Sequence, residues 1–200
     1  MSDLTVPSVE FHLNTTRLLI QRLLPTRQHA QFIHKLYNTP LFLAGQGKTG
    51  IDTEDKAMGM INGFASSTYE RNGHGFYIMT LREGTMIGTV TLIRGEYRCP
   101  DVGFALLPEY TGNGYAQEAG KAMIDYATRP KSEGGLGYPG VFGLTSANNA
   151  KSMKVCESVG LEYRGVYPLQ AFGAGRSAVY TLPGMSEDLE EYGIKETKMG

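Results

Sequence analysis

Tryptophan is missing from the 200 residues, and cysteine occurs only twice, as Cys99 and Cys156. Two cysteines cannot staple a small secreted scaffold through several bridges, and a pair of free thiols fits a reducing compartment. No apolar run approaches the ~18 residues that a membrane-spanning helix requires. The formal net charge is −1, so there is no basic footprint for nucleic acid or for an anionic membrane surface. The histidines (His12, His29, His34, His74) show neither HExxH nor another paired metal-ligand spacing, so no metal is expected. Met1-Ser2-Asp3-Leu4-Thr5 lacks a basic stretch followed by an apolar one, which leaves the cytoplasm as the expected compartment.

What is present suits one globular domain. Apolar residues make up 41% of the chain, and the 26 glycines fall in short connectors rather than in a repeat. Residues 1–15 read as a polar lead-in, 16–183 as the domain and 184–200 as an acidic tail, either a peripheral helix or unstructured. A first strand is predicted over Arg17–Leu23, then a helix capped by Thr26 with Phe32, Ile33 and Leu36 on one face. Thr39–Gly47 reads as an apolar connector, and Thr53 as the weak cap of a helix reaching about Tyr69. Two strands flank the hairpin turn Arg82–Thr85, and a third, Val102–Leu107, completes a meander that Pro108 stops.

After Pro108 the apolar period changes from 2 to 3.6. Ala116, Ala119, Gly120, Met123, Ile124 and Ala127 share one helix face. A strand over Val141–Thr145, a helix over Ala150–Val159 ended by Gly160, and two strands near Leu161–Leu169 and Ser177–Leu182 follow. The pattern is α/β, a mixed and mostly antiparallel sheet with one strand–helix–strand crossover.

Between the meander and the long helix stands Thr111-Gly112-Asn113-Gly114-Tyr115-Ala116. The first N–H groups of a helix have no intrahelical partner and carry the positive end of its dipole. Glycine lets the backbone turn sharply there and leaves no Cβ in a ligand's way, which makes an anion cradle suited to phosphate. A bare strand-to-helix turn would use the same residues. The Walker ending Gly-Lys-Ser/Thr is absent, and the third glycine of a dinucleotide loop is replaced by Gln117.

The stretch Asp101–Ala119, followed in order by Asn149-Ala150-Lys151-Ser152 and by Cys156-Glu157 to Gly160-Leu161, resembles the GCN5-related N-acetyltransferase (GNAT) superfamily. The likeness points to its branch of ribosomal-protein-alanine N-acetyltransferases and covers roughly residues 15 to 183. It implies a GNAT-like acyl-CoA N-acyltransferase fold in which two central strands splay into a V with flanking helices. Acetyl-CoA would be the co-substrate, a small-molecule or peptide amine the acceptor, and the assembly a monomer or homodimer.

By the same resemblance, main-chain groups of Phe104, Ala105 and Leu106 would pair with the pantetheine arm. Amides of Thr111, Gly112, Asn113, Gly114, Tyr115 and Ala116 would hold the pyrophosphate. Asn149 would touch the arm or simply cap its helix, and Gly103 would ease a bulge. Asp101 stands where relatives carry a glutamate and is the candidate base, against a plain strand-end acid. Ser152 and Cys156 are candidate acids, against a polar helix residue and a core thiol respectively.

The sequence departs from the superfamily at Asn113 and Glu109, so the loop has no cationic side chain of its own; backbone donors can suffice, and affinity is modest unless Lys121, Lys151 or Lys154 reaches the phosphates. Leu41-Phe42-Leu43 and the connector 170–175 suggest an acceptor wall that is apolar rather than acidic. A non-catalytic or atypical acyl-CoA-binding member of the fold remains the alternative reading.

Overall fold

The computed structural model describes residues 11–169, 175–196 and 198–199. The sheet runs in the order β1(His12–Asn14), β2(Leu18–Arg22), β3(Phe76–Leu81), β4(Met86–Ile93), β5(Asp101–Leu106), β6(Phe142–Ser146), β8(Ser177–Thr181), β7(Glu162–Tyr167). Every adjacent pair is antiparallel except β5 and β6. That one parallel step is the crossover predicted from the change of period, and it carries helix α5(Tyr115–Thr128) across the sheet. β1 lies within the stretch read as a lead-in, where it pairs with β2 as the sheet's edge.

Two layers of helix cover the two faces. Alternation in β3 divides the load: Tyr77 and Met79 pack with the α5 face residues Ala119, Met123, Ile124 and Ala127, while Ile78 packs on the other side. That side holds α1(Arg27–Tyr37) and α3(Glu54–Met60), through Phe32, Ile33, Leu36, Ala57 and Ile61. Thr26 caps α1 by accepting the His29 N–H, as its position in the sequence predicts.

Three stretches differ from the sequence reading. The connector Thr39–Gly47 is a short helix, α2(Pro40–Gln46): Thr39 accepts the Phe42 N–H and Pro40 occupies the first turn, where its missing donor costs nothing. Next, the helical run beyond Thr53 is not uniform. After α3 comes one π turn, Ile61–Ala65, before α4(Ser66–Asn72). Ser66 and Thr68 hydroxyls bond back to the Ile61 and Phe64 carbonyls at 2.8 and 2.7 Å, satisfying acceptors that the wider turn disturbs. Finally, the acidic tail makes a 3-10 turn over Leu189–Tyr192, with Met185, Leu189 and Ile194 buried against Phe142 and Val179.

The sheet's tightest passage is at Gly88, where an added Cβ would overlap the Ala105 carbonyl oxygen and crowd Leu106 and Met79. Gly88→Ala is therefore expected to destabilise the fold by about 1–3 kcal/mol, the usual range for overpacking a core. Urea denaturation against the wild type measures it.

Candidate active site

The parallel step is where the sheet opens. β5 and β6 share a single registered pair, Asp101↔Phe142, with the Phe142 N–H bonded to the Pro100 carbonyl at 2.8 Å. The next donor along β6, the Leu144 N–H, finds no strand carbonyl; it donates to Asp101 Oδ1 at 2.6 Å. A side chain has taken the place of a ladder acceptor, and beyond it no further pair joins the two strands among the described residues. This is the V-shaped splay implied by the resemblance. Phe104, Ala105 and Leu106 lie on β5 along it.

Gly103 does not form the bulge anticipated for it: the β4–β5 register runs unbroken, and the pairing of β4 shifts on its other side, between Met79 and Thr80 of β3. Gly103 instead makes room, since a Cβ there would come within 2.6 Å of the Thr91 hydroxyl.

A cavity of about 510 Å³ opens over this fork. Asp101, Gly103, Ala105, Thr89, Thr91 and Leu144 line its floor, and Tyr37, Phe42, Phe64, Phe76 and Tyr97 make an aromatic wall. Tyr37 and Phe42 are stacked at 4.3 Å, so α2 contributes to the wall. Phe64 projects from the π turn with 55% of its surface exposed and meets Phe76 edge-on at 5.6 Å.

Burial pushes the Asp101 carboxyl up to about 7, and the Leu144 N–H only partly offsets it. Burial likewise raises the Tyr37 phenol to about 12.

At the far end of β5 the chain makes a short turn, Pro108–Tyr110, and enters the glycine loop. Gly112 and Gly114 both sit at φ 78°, a left-handed conformation that side chains with a Cβ rarely adopt. Gly114 caps α5 without a side-chain bond, and Thr111 through Gly114 are exposed. Among the described residues, the N–H groups of Gly112 through Gln117 donate to no protein acceptor. A Cβ at Gly112 would meet nothing within 4 Å, so the space above the loop is open. These features fit a diphosphate held by main-chain donors.

The remaining predicted residues lie on α6(Ala150–Ser158). The Asn149 side chain caps this helix by accepting the Ser152 N–H at 3.1 Å. Gly45 of α2 lies close by, where a Cβ would stand 3.5 Å from Asn149 Nδ2. Cys156 is 4% exposed, packed in the main core against Gly143, and burial, followed by the nearby Asp101, drives its thiol up to about 12. Neither Asn149, Ser152 nor Cys156 lines the cavity. Cys156 thus fits the packing role weighed for it above better than that of a proton donor.

The sequence reading missed Arg17, which reaches the loop from 96 residues upstream and donates through Nη1 to the Asn113 carbonyl at 2.9 Å. No local signal marks it, because the loop's own stretch holds no cation and β2 gives no hint of which helix it will face. Glu109, the acid beside the loop, pairs with Lys35 at 3.7 Å. Among the described residues, no group of three or more His, Cys, Asp or Glu could hold a metal, and no helix is long and apolar enough to cross a membrane.

Comparison with known proteins agrees with this geometry. The model of the acetyltransferase (GNAT) domain matches residues 17–162. An uncharacterized N-acetyltransferase of Bacillus subtilis strain 168, YoaA, is 23% identical over 156 residues, spanning 77% of this chain and 84% of that protein. The structure of a ribosomal-protein-S5-alanine acetyltransferase from Vibrio fischeri superposes with a TM-score of 0.66 at 18% identity, covering 86% of this chain and 95% of that one. A spermidine N-acetyltransferase from Vibrio cholerae, solved with CoA and spermine, also gives 0.66 at 18% identity, over 84% and 96%. At these identities the two structures share the fold with this chain.

Because the Asp101 carboxyl titrates higher in the fold than the ordinary 3.8, the folded state holds its proton more tightly than the unfolded chain does. Stability from this group is therefore greatest at low pH and declines as pH rises from about 4 to about 7. Asp101→Asn is expected to flatten that decline, so its stability relative to wild type improves as pH rises from about 4 to about 7 in urea titrations.

Proposed function

Because this chain belongs to the acetyltransferase (GNAT) domain family and so works as an acetyl-coenzyme A-dependent acyltransferase, we propose that it acetylates a primary amine borne on an apolar body. The observation that carries this reading is the cavity at the fork: a largely aromatic lining holds one carboxyl, Asp101, whose proton affinity is raised toward neutral pH.

Acyl transfer to nitrogen needs an amine with a free lone pair, a donor for the oxygen that gains charge, and reprotonation of the departing sulfur. Asp101 serves the first need. An ordinary carboxylate is too weak a base to draw a proton from an ammonium, whereas one raised to about 7 is poised for the transfer, directly or through a water. Main-chain groups of Phe104 and Leu106 on the splayed edge take the pantetheine arm, those of Ala105 being paired with Thr89 of β4. The N–H groups of Gly112 through Ala116 take its diphosphate, that of Thr111 being held by the Pro108 carbonyl. Asn149 steadies the start of α6 near the arm. Ser152, in the first turn of that helix, is the remaining candidate to return a proton to sulfur.

The acceptor's character follows from the wall. A polyamine carries several positive charges and calls for several carboxylates, while this cavity offers a single one, set among Tyr37, Phe42, Phe64, Phe76 and Tyr97. An amine on a ring-sized or aliphatic group buries its body there and leaves only its nitrogen at Asp101. A peptide beginning with an apolar residue and a small apolar amine both satisfy this.

Thiol release from acetyl-CoA against a panel of amines tests the reading. Apolar amines are expected to exceed spermidine in kcat/KM by at least about tenfold. The rate should climb through pH ~7 as the base ionises, and Asp101→Asn should lower kcat by roughly 10²–10⁴ and erase that limb. Binding without turnover for every amine, or preferred acetylation of spermidine, would refute it.

Gly112→Val probes the loop separately. Its β-branched side chain projects into the open space above the donors, so calorimetry should find acetyl-CoA binding weakened at least about tenfold with the cooperative unfolding transition retained. Unchanged affinity would place the diphosphate elsewhere.

A further inference from the structure

The glycine loop is gripped from behind by one residue. Arg17, just before β2, donates its main-chain N–H to Glu118 Oε1 at 2.7 Å and its Nε to Glu118 Oε2 at 2.6 Å. The Thr15 hydroxyl adds a third bond to Oε1 at 2.6 Å. The same guanidinium donates through Nη1 to the Asn113 carbonyl at 2.9 Å, and its carbon lies 4.5 Å over the Tyr115 ring. A Cβ on Gly114 would come within 3.4 Å of Nη2, so the left-handed glycine also clears the path of this side chain.

Charge gives the arrangement a purpose. Glu118 lies in the first turn of α5, at the end whose N–H groups face outward. An acid there suits the helix dipole, yet it opposes any second anion brought to the same terminus. Burial disfavours the ionised Glu118, but the bonds from Thr15 and Arg17 outweigh that and hold its carboxyl below the ordinary glutamate range. Glu118 is thus a fixed negative charge, 16% exposed, beneath the loop, and Arg17 is the cation that cancels it. With 44% of its side chain exposed, Arg17 also brings positive charge to the surface where the loop itself has none.

We propose that Arg17 is the positioning residue of the diphosphate loop. It neutralises Glu118 and draws the Asn113 carbonyl backward, so that the loop presents donors and no acceptor to the ligand. This rests on the reading of the loop as the diphosphate site. A tie serving only to dock β2 on α5 would need Glu118 alone; the bond to Asn113 couples it to the loop's own main chain.

Arg17→Met, Arg17→Lys and the double change Arg17→Met/Glu118→Gln test it, by calorimetric titration with acetyl-CoA and by steady-state kinetics. Arg17→Met is expected to bind about tenfold or more weakly, with KM raised by a similar factor and kcat changed less than about twofold. Adding Glu118→Gln should recover most of that affinity, because the uncancelled charge is gone; a purely structural tie would be hurt further by losing both partners. Arg17→Lys keeps the charge but loses the fork, so it should fall between wild type and Arg17→Met, and it decides the matter if Arg17→Met unfolds. Wild-type affinity in either single variant, or no recovery in the double, overturns the proposal. Wild-type protein that fails to bind acetyl-CoA would instead remove the loop reading beneath it.

Discussion

A hydrogen bond between the Asp101 carboxylate and the Leu144 main chain defines the opening of this sheet. In a parallel ladder each inward N–H needs a carbonyl on the neighbouring strand, and a missing one ordinarily leaves a buried donor unsatisfied. Here the side chain of Asp101, a member of the last registered pair, supplies the acceptor to Leu144 two residues beyond, so the strands can part with no orphan at the point of parting. The same burial that makes this bond necessary raises the proton affinity of the carboxyl. The element that holds the fork is therefore also the element best placed for proton transfer, and structure and chemistry draw on one residue.

From that fork the two ends of β5 serve different ends of a ligand. Toward Asp101 the surroundings are largely aromatic, with Arg94 the one cation among the described lining residues. Toward α5 they are polar, with exposed main-chain donors and two acids, Glu109 and Glu118, each matched by a base. An acyl thioester has a small apolar reacting end and a charged nucleotide end, and the gradient along this one strand runs in the same sense.

The sequence discloses most where a local rule governs. The α5 face residues Ala116, Ala119, Gly120, Met123, Ile124 and Ala127 are all buried, because a period of 3.6 suffices to predict a helix packed on a sheet. The glycine loop was equally legible, since positive φ at Gly112 and Gly114 is what those residues uniquely allow. The helix at Pro40–Gln46 was missed although its cap and proline were in view, because seven residues of mainly apolar character carry no period. Arg17 was out of reach for another reason: its partners lie about a hundred positions away, and only the assembled sheet brings β2 beside α5. The tail read as acidic and peripheral, yet Met185, Leu189 and Ile194 are spaced for a cluster that forms only once β6 and β8 are in place.

The single π turn at Ile61–Ala65 bears on how such a wall can vary. A π turn is an α-helix that has accepted one additional residue as a local bulge, so deleting one position inside it would restore regular winding and leave the helices on either side close to their present phase. The change would be confined to the turn that presents Phe64 to the cavity, while α3, docked on α1, kept its seat. A one-codon length change in this short stretch could thus re-line the mouth of the cavity without touching a strand.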